Sequence, residues 1–283
     1  MGKTFIERKG SIHLRPIGEV TPRTKMMDLA SKLDDVILLG RGDPDLDTPL
    51  HISEAAKKAI DEKKTHYSHI RGLIELRQAI ADKLKRDNNL NYDPENEILV
   101  TCGAQEAVFL TLLGIINPGD EVLVGEPRYN AYDEAIMMVG GVPKVIECFA
   151  EENFLITPDR LRAAITPKTK AVSIVNPGNP AGFYEPDQVR ALAEVIKEKD
   201  ILVISDEIYE NIIFDGTPHL SFASIPGMKE RTITINGPSK SYAMTGWRCG
   251  YLAAPAPFCE MLTEAAHTLA ICCPMMTQYA VIE

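Results

Sequence analysis

From residue 98 onward, short β-branched runs alternate with stretches in which apolar residues recur every three or four positions. The runs predict strands at Ile98–Thr101, Glu121–Val124, Lys144–Glu147, Ala171–Val175, Ile201–Ser205, Thr232–Ile235 and Tyr251–Ala253. The clearest helix is Glu185–Lys199: Val189, Leu192, Ala193 and Ile196 fall at i, i+3, i+4 and i+7, and Pro186 suits a first helical turn. An alanine-rich helix at Ala104–Ile116 is closed by the stop and turn signal Asn117-Pro118-Gly119-Asp120. Before residue 98 the pattern predicts amphipathic helices at Ile52–Lys63 and Leu73–Arg86. Residues 1–45 hold few periodic elements and read as an N-terminal arm and part of a smaller domain, with 46–283 as one large domain.

Strands alternating with helices imply βαβ units and a mostly parallel sheet covered on both faces, a three-layer α/β/α arrangement of seven strands. Ile201-Leu202-Val203-Ile204 is apolar at successive positions, as a central strand buried on both faces requires. The last strand follows its predecessor without room for a crossover helix, so antiparallel pairing is expected there.

Composition narrows the function classes. The 283 residues carry a formal net charge of -10, with 45% hydrophobic and 25% charged residues, which fits a globular chain with enough apolar material to offset its conformational entropy. The acidic balance argues against nucleic acid and against an anionic membrane surface as partners. No apolar run approaches the roughly 18–20 residues that cross a bilayer, and Met1–Val20 has no signal-like segment. Cys102, Cys148, Cys249, Cys259, Cys272 and Cys273 lack metal-ligand spacing and read as the reduced thiols of a cytoplasmic protein. The six His residues show no pairing, each reads as a surface or satisfied core histidine, and no metal is expected.

Two glycine motifs are false leads. Gly40-Arg41-Gly42 lacks the strand–helix unit of a dinucleotide fingerprint, and Gly237-Pro238-Ser239-Lys240-Ser241 lacks the first glycine of a nucleotide phosphate loop. The positive signal lies beyond the carboxyl ends of the predicted strands, where doubly wound sheets bind ligands. Gly103-Ala104-Gln105 opens a helix and suits a phosphate. The rigid loop Asn176–Gly182 displays Asn179, Asp206 and Tyr209 follow the fifth strand, and Ser239-Lys240 with Arg248 follow the sixth. Singly, Asp206 reads as a cap at a strand end and Lys240 as a solvated lysine. Together they set a phosphate nest, carboxylate, phenol, amide, amine and guanidinium along one sheet edge.

The run Asn236-Gly237-Pro238-Ser239-Lys240-Ser241-Tyr242-Ala243-Met244-Thr245-Gly246-Trp247-Arg248-Cys249-Gly250-Tyr251 closely resembles the lysine signature of class I/II aminotransferases, the fold-type I, aspartate aminotransferase-like enzymes that use pyridoxal 5'-phosphate. The resemblance extends from Gly42-Asp43-Pro44-Asp45 through Asn179-Pro180-Ala181-Gly182 to Ser205-Asp206-Glu207-Ile208-Tyr209. It implies that Lys240 is the covalent anchor of the cofactor and the proton carrier, and that Asp206 pairs with the protonated pyridine nitrogen. It further implies that Tyr209 and Asn179 hydrogen-bond the ring's phenolate oxygen. Arg248, Ser239 and the backbone of Gly103, Ala104 and Gln105 would hold the phosphate. Tyr129, in Pro127-Arg128-Tyr129-Asn130-Ala131-Tyr132, would stack on the ring, and Tyr67 would reach the phosphate of a partner subunit in a homodimer. Gly42, Tyr129 and Asn179 would contact the amino-acid or 2-oxo-acid substrate.

Two departures from the family pattern stand out. Gly237 replaces a serine found in many relatives, and the rest of the small domain, with the arginine that grips the substrate α-carboxylate, would lie beyond Glu283. No residue of this chain is assigned that role; full turnover by a chain ending at Glu283 would mean that another residue, such as Arg41 or Arg15, binds the carboxylate. The resemblance thus implies a transaminase of amino-acid metabolism. Its rivals are a β-eliminating C–S lyase of the same fold, a cofactor-binding module without turnover, and a catalytically impaired fragment that binds the cofactor but transfers amino groups feebly.

Overall fold

A computed structural model describes residues 22–37 and 42–283. The apolar run at 201–204 runs into β5 (Leu202–Asp206), the middle strand of a seven-stranded sheet. Across the sheet the order is β1 (Ile98–Thr101), β7 (Gly250–Ala253), β6 (Thr232–Asn236), β5, β4 (Thr169–Val175), β2 (Glu121–Glu126) and β3 (Val142–Glu147). β7 runs antiparallel to both neighbours and every other pair is parallel, as the missing crossover predicts. The sequence pattern placed Asp206 just outside β5; it is in fact the last residue of that strand, in register with Val175 and Ile235.

Strand side chains alternate between two helical layers. Val122, Val124, Ala171, Ile204, Ile233 and Ile235 point to one face, where Leu110, Leu112, Ile136 and Leu262 cover them from the helices Ala104–Ile115, Ala131–Met138 and Ala256–Ala270. Leu123, Val172, Ile174 and Val203 point to the other, against Leu161 of Pro158–Ala164 and Val189, Leu192 and Ile196 of Pro186–Lys199. At the β1 end, Ile98, Val100, Tyr251 and Ala253 pack on Leu76, Ile80 and Leu84 of the helix Ile74–Asn88. Each fully buried leucine here contributes about 1.5–3 kcal/mol by leaving water. The result is the three-layer α/β/α arrangement anticipated from the alternating pattern.

Local chemistry sets the element ends. Pro186 occupies the first turn of its helix behind a capping box, in which the Glu185 side chain accepts from the backbone of Gln188, whose own side chain accepts from Glu185 N–H at 2.9 Å. The helix Ala104–Ile115 ends one residue before its predicted limit, and the turn behind it closes through Asp120 N–H to Asn117 carbonyl at 3.0 Å. The helix Met275–Ile282 packs Ala280 against Ile52 and Ala56 of Leu50–Asp61 and against Met244. That small cluster seats the segment around residues 48–56 beside the lysine-bearing loop.

Candidate active site

The cavity at the carboxyl edge of β4, β5 and β6 has a volume of about 750 Å³. β4 feeds the Asn176–Gly182 loop, which is locked by its own hydrogen bonds. Asn176 and Tyr184 exchange side chain and backbone at 2.9 and 3.2 Å, and Gly178 N–H donates to the Gly182 carbonyl at 2.7 Å. The loop thereby presents Asn179, whose Nδ2 donates to the Tyr209 hydroxyl at 3.2 Å. Burial holds the Tyr209 phenol above its ordinary range, while the Asn179 bond works in the opposite direction.

β5 delivers Asp206, buried with one oxygen on each of two donors. Oδ1 accepts from Ile208 N–H at 3.1 Å and Oδ2 from the Tyr132 hydroxyl at 2.6 Å. Burial raises its carboxyl above the usual range; the Tyr132 and Ile208 bonds and the positive charge of Lys240 pull it back. β6 leads into the turn carrying Ser239 and Lys240, closed by Tyr242 N–H to Pro238 carbonyl and Met244 N–H to Ser239 carbonyl, each at 3.0 Å. Lys240 Nζ donates to the Gly42 carbonyl and lies 5.8 Å from the centre of the Tyr209 ring. Thr48 and Trp247 hold the segment bearing Gly42 in place, through Trp247 Nε1 to Thr48 Oγ1 at 3.0 Å and Thr48 Oγ1 to Ala243 carbonyl at 2.7 Å.

The third component is the helix N-terminus after β1. Gly103 caps that helix at φ 87°, a backbone conformation open to glycine, and a Cβ there would run into the Arg248 guanidinium. Arg248 is held by its Nη1 on the Thr245 carbonyl at 2.9 Å and its Nη2 on the Cys102 carbonyl at 3.4 Å. A guanidinium beside a helix N-terminus is a site for an anion. The arrangement therefore joins an anion cradle, a buried carboxylate, a phenol–amide pair and an amine in one cavity.

Residues 34–283 match the family Aminotransferase class I and II. The chain belongs to that family. It is 44% identical over 257 residues to an aspartate aminotransferase of Pyrococcus abyssi, covering 90% of this chain and 66% of that protein. It is 40% identical to aromatic-amino-acid aminotransferase 2 of Thermococcus litoralis, again covering 90% of this chain and 66% of the relative. The solved aspartate aminotransferase of Rhizobium meliloti superposes with a TM-score of 0.93 at 35% identity, over 96% of this chain and 70% of that one. The chain thus spans about two thirds of the length of the curated relatives it matches.

Within this aminotransferase fold, most of the anticipated site residues meet. Gly42, Ala104, Gln105, Tyr129, Asn179, Asp206, Tyr209, Ser239, Lys240 and Arg248 all line the cavity. Gly103 has a different part from the one anticipated. Its N–H donates to the Thr101 carbonyl at 2.8 Å, so it shapes the nest rather than donating into it, and Ala104 and Gln105 open the first helical turn at the cavity wall. Tyr67 does not line the cavity and is 77% exposed. Arg15 and Arg41 lie outside the described residues.

Sequence reasoning passed over Tyr132 and Arg128, both in the cavity wall. Arg128 is ion-paired with Glu126 and Asp133, with Nε 2.9 Å from Asp133 Oδ1. The signal for Tyr132 is in the same run: it lies three residues after Tyr129, in the first turn of the helix Ala131–Met138.

Proposed function

We propose that the chain is the cofactor-binding body of a pyridoxal-phosphate-dependent aminotransferase, moving an amino group between an amino acid and a 2-oxo acid. The observation that carries this reading is the buried Asp206 carboxylate facing the same cavity as Lys240, with Arg248 at the helix N-terminus alongside. The donor set fits the group: Arg248, Ser239 and the first turn at Ala104 and Gln105 suit a phosphate, Asp206 a protonated ring nitrogen, and Tyr209 with Asn179 a ring oxygen. Pyridoxal phosphate, when bound, supplies an electron sink for the pair left by removal of the substrate Cα proton.

The chain's own groups supply the rest. Asp206 is costly to ionise where it is buried, and a cationic partner in the cavity offsets that cost, so carboxylate and ring nitrogen favour each other's charged forms. Lys240 is positioned as the general base that takes the proton from the substrate Cα and returns it, with the Gly42 carbonyl orienting its amine. Tyr129, Asn179 and Gly42 line the cavity, where Tyr129 would cover the ring and Asn179 and Gly42 would receive the substrate carboxylate. Six free cysteines support a cytoplasmic location, and the exposed Tyr67 supports a homodimer in which it completes the partner's phosphate site.

Borohydride reduction of the cofactor-loaded protein followed by peptide mapping tests this reading. The cofactor is expected on Lys240, with loss of label and of amino transfer in Lys240→Ala. Label on another lysine, or normal transfer in that variant, overturns it.

A further inference from the structure

The turn after β5 has two sides. Asp206 and Tyr209 line the cavity, whereas the residue following each of them, Glu207 and Glu210, does not. We propose that Glu207, Glu210 and His219 form a binding site for a first-row divalent cation behind the active-site turn. One ligand atom from each lies within 4.8 Å of the others.

The donors are left open in a way that points to a ligand. Glu207 is 1% exposed; its Oε1 accepts from the hydroxyls of Ser205 at 2.8 Å and Ser221 at 2.7 Å, while its buried Oε2 has no hydrogen-bond partner among the described residues. Both ring nitrogens of His219 are likewise buried without a partner, contrary to the sequence reading of a satisfied or surface histidine. Buried polar atoms left without a partner are costly, a charged one more so, and a ligand that engages them removes that cost. Glu210 Oε1 takes the Lys83 ammonium and the Asn236 amide, but among the described residues Oε2 takes only the Asn88 amide, at 2.7 Å, and keeps a lone pair.

Charge and chemistry agree. Lys83 is ion-paired with Glu210, and no described lysine or arginine is ion-paired with Glu207. A divalent cation engages all three residues. A nitrogen–oxygen set without thiolate suits Zn²⁺ and its first-row neighbours, with bonds of about 2.0–2.2 Å. That length asks for a small inward shift of His219, which sits in the irregular connection between β5 and β6. A cavity of about 520 Å³ reaches His219 and Ser221, with Asn88, Arg190 and Lys197 also in its wall, and so opens the histidine side of the site. The two serine hydroxyls would orient Glu207 from outside the ligand shell. A cation here would tie the Glu207–Glu210 turn to the following connection, and so stiffen the backbone that aims Asp206 and Tyr209.

The test uses the full chain with pyridoxal phosphate bound, free cofactor removed and metals dialysed out against a chelator. Calorimetric titration with Zn²⁺ is expected to show one equivalent bound, with affinity at least about tenfold weaker in His219→Ala and about 10–100-fold weaker in Ser221→Ala. Co²⁺ in place of Zn²⁺ should give visible d–d bands without the intense near-ultraviolet thiolate band that any of the six cysteines would add. No heat on titration, equal affinity in parent and His219→Ala, or a thiolate band overturns the site. Should His219→Ala fail to fold, the Co²⁺ spectrum of the parent decides: d–d bands of nitrogen–oxygen type support the site, and their absence removes it.

Discussion

The Tyr132 hydroxyl donates to Asp206 Oδ2 across 2.6 Å, between two side chains that are 5% and 7% exposed. The bond favours the ionised carboxylate in a place where burial disfavours it. Hydrogen bonds to charged groups contribute about 1.5–3 kcal/mol. Tyr132→Phe is therefore expected to push the Asp206 carboxyl further up and to lower cofactor affinity and kcat/KM by roughly ten- to hundredfold. Spectroscopic titration with pyridoxal phosphate and steady-state kinetics measure both; parent-like values would show that Tyr132 is packing alone.

Asp206 also makes a pH prediction. Its folded-state value is raised, so its contribution to folding is present below the unfolded-state value of about 3.9 and lost as pH rises through the folded one. At neutral pH the ionised carboxylate works against the cofactor-free fold. Cofactor-free Asp206→Asn should melt above the parent at pH 8, and the gap should close toward pH 4. With pyridoxal phosphate bound the order should reverse, because the carboxylate then has its cationic partner. Glu207 is shifted in the same direction but is common to both proteins and cancels in the difference. Thermal melts across pH, with and without cofactor, check this, and a gap that persists at pH 4 would rule the explanation out.

The central parallel strands are legible because burial on both faces leaves continuous apolar runs, and β1, an edge strand antiparallel to β7 but buried at all four positions, matches its predicted range to the residue. Ends that carry function were less so: a hydrophobic pattern stops at Ser205, but the ladder continues through Asp206, whose backbone pairs whatever its side chain bears. The cavity residues were readable where a signature run carries them, as for Lys240 and Arg248. Tyr132 and the open donors of Glu207 and His219 were not, because their roles depend on contacts across 74 residues in one case and between the start and the middle of the β5–β6 connection in the other. Gly103 shows the same limit: its glycine was noticed, but only the structure shows that its N–H is taken by Thr101.

Tyr67 tests assembly. At 77% exposed and outside the cavity of its own chain, it has no part in that site unless a second copy brings it there. Sedimentation should show a two-fold dimer, and Tyr67→Phe should weaken pyridoxal phosphate by roughly ten- to hundredfold. Dilution below the dimer's dissociation constant should reproduce the same loss in the parent. A fully loaded monomer would contradict the arrangement.

Gly103 and Arg248 make the last prediction, through a comparison of two glycines. Gly103 and Gly119 both adopt positive φ, at 87° and 89°, so alanine at either is strained by a similar backbone cost of about 1–2 kcal/mol. Their surroundings differ: an added Cβ at Gly119 meets nothing within 4 Å, whereas at Gly103 it meets the Arg248 guanidinium. Gly119→Ala should thus lower stability and leave cofactor affinity unchanged. Gly103→Ala should lower stability by more and displace Arg248 from its carbonyl contacts, weakening binding of pyridoxal phosphate and of free inorganic phosphate. Because the second effect acts through Arg248, it should be strongly non-additive with Arg248→Ala: once the guanidinium is gone, the extra methyl has little left to disturb. A double-mutant cycle on phosphate affinity measures the coupling, and additive losses would show that Gly103 shapes the nest by its backbone alone.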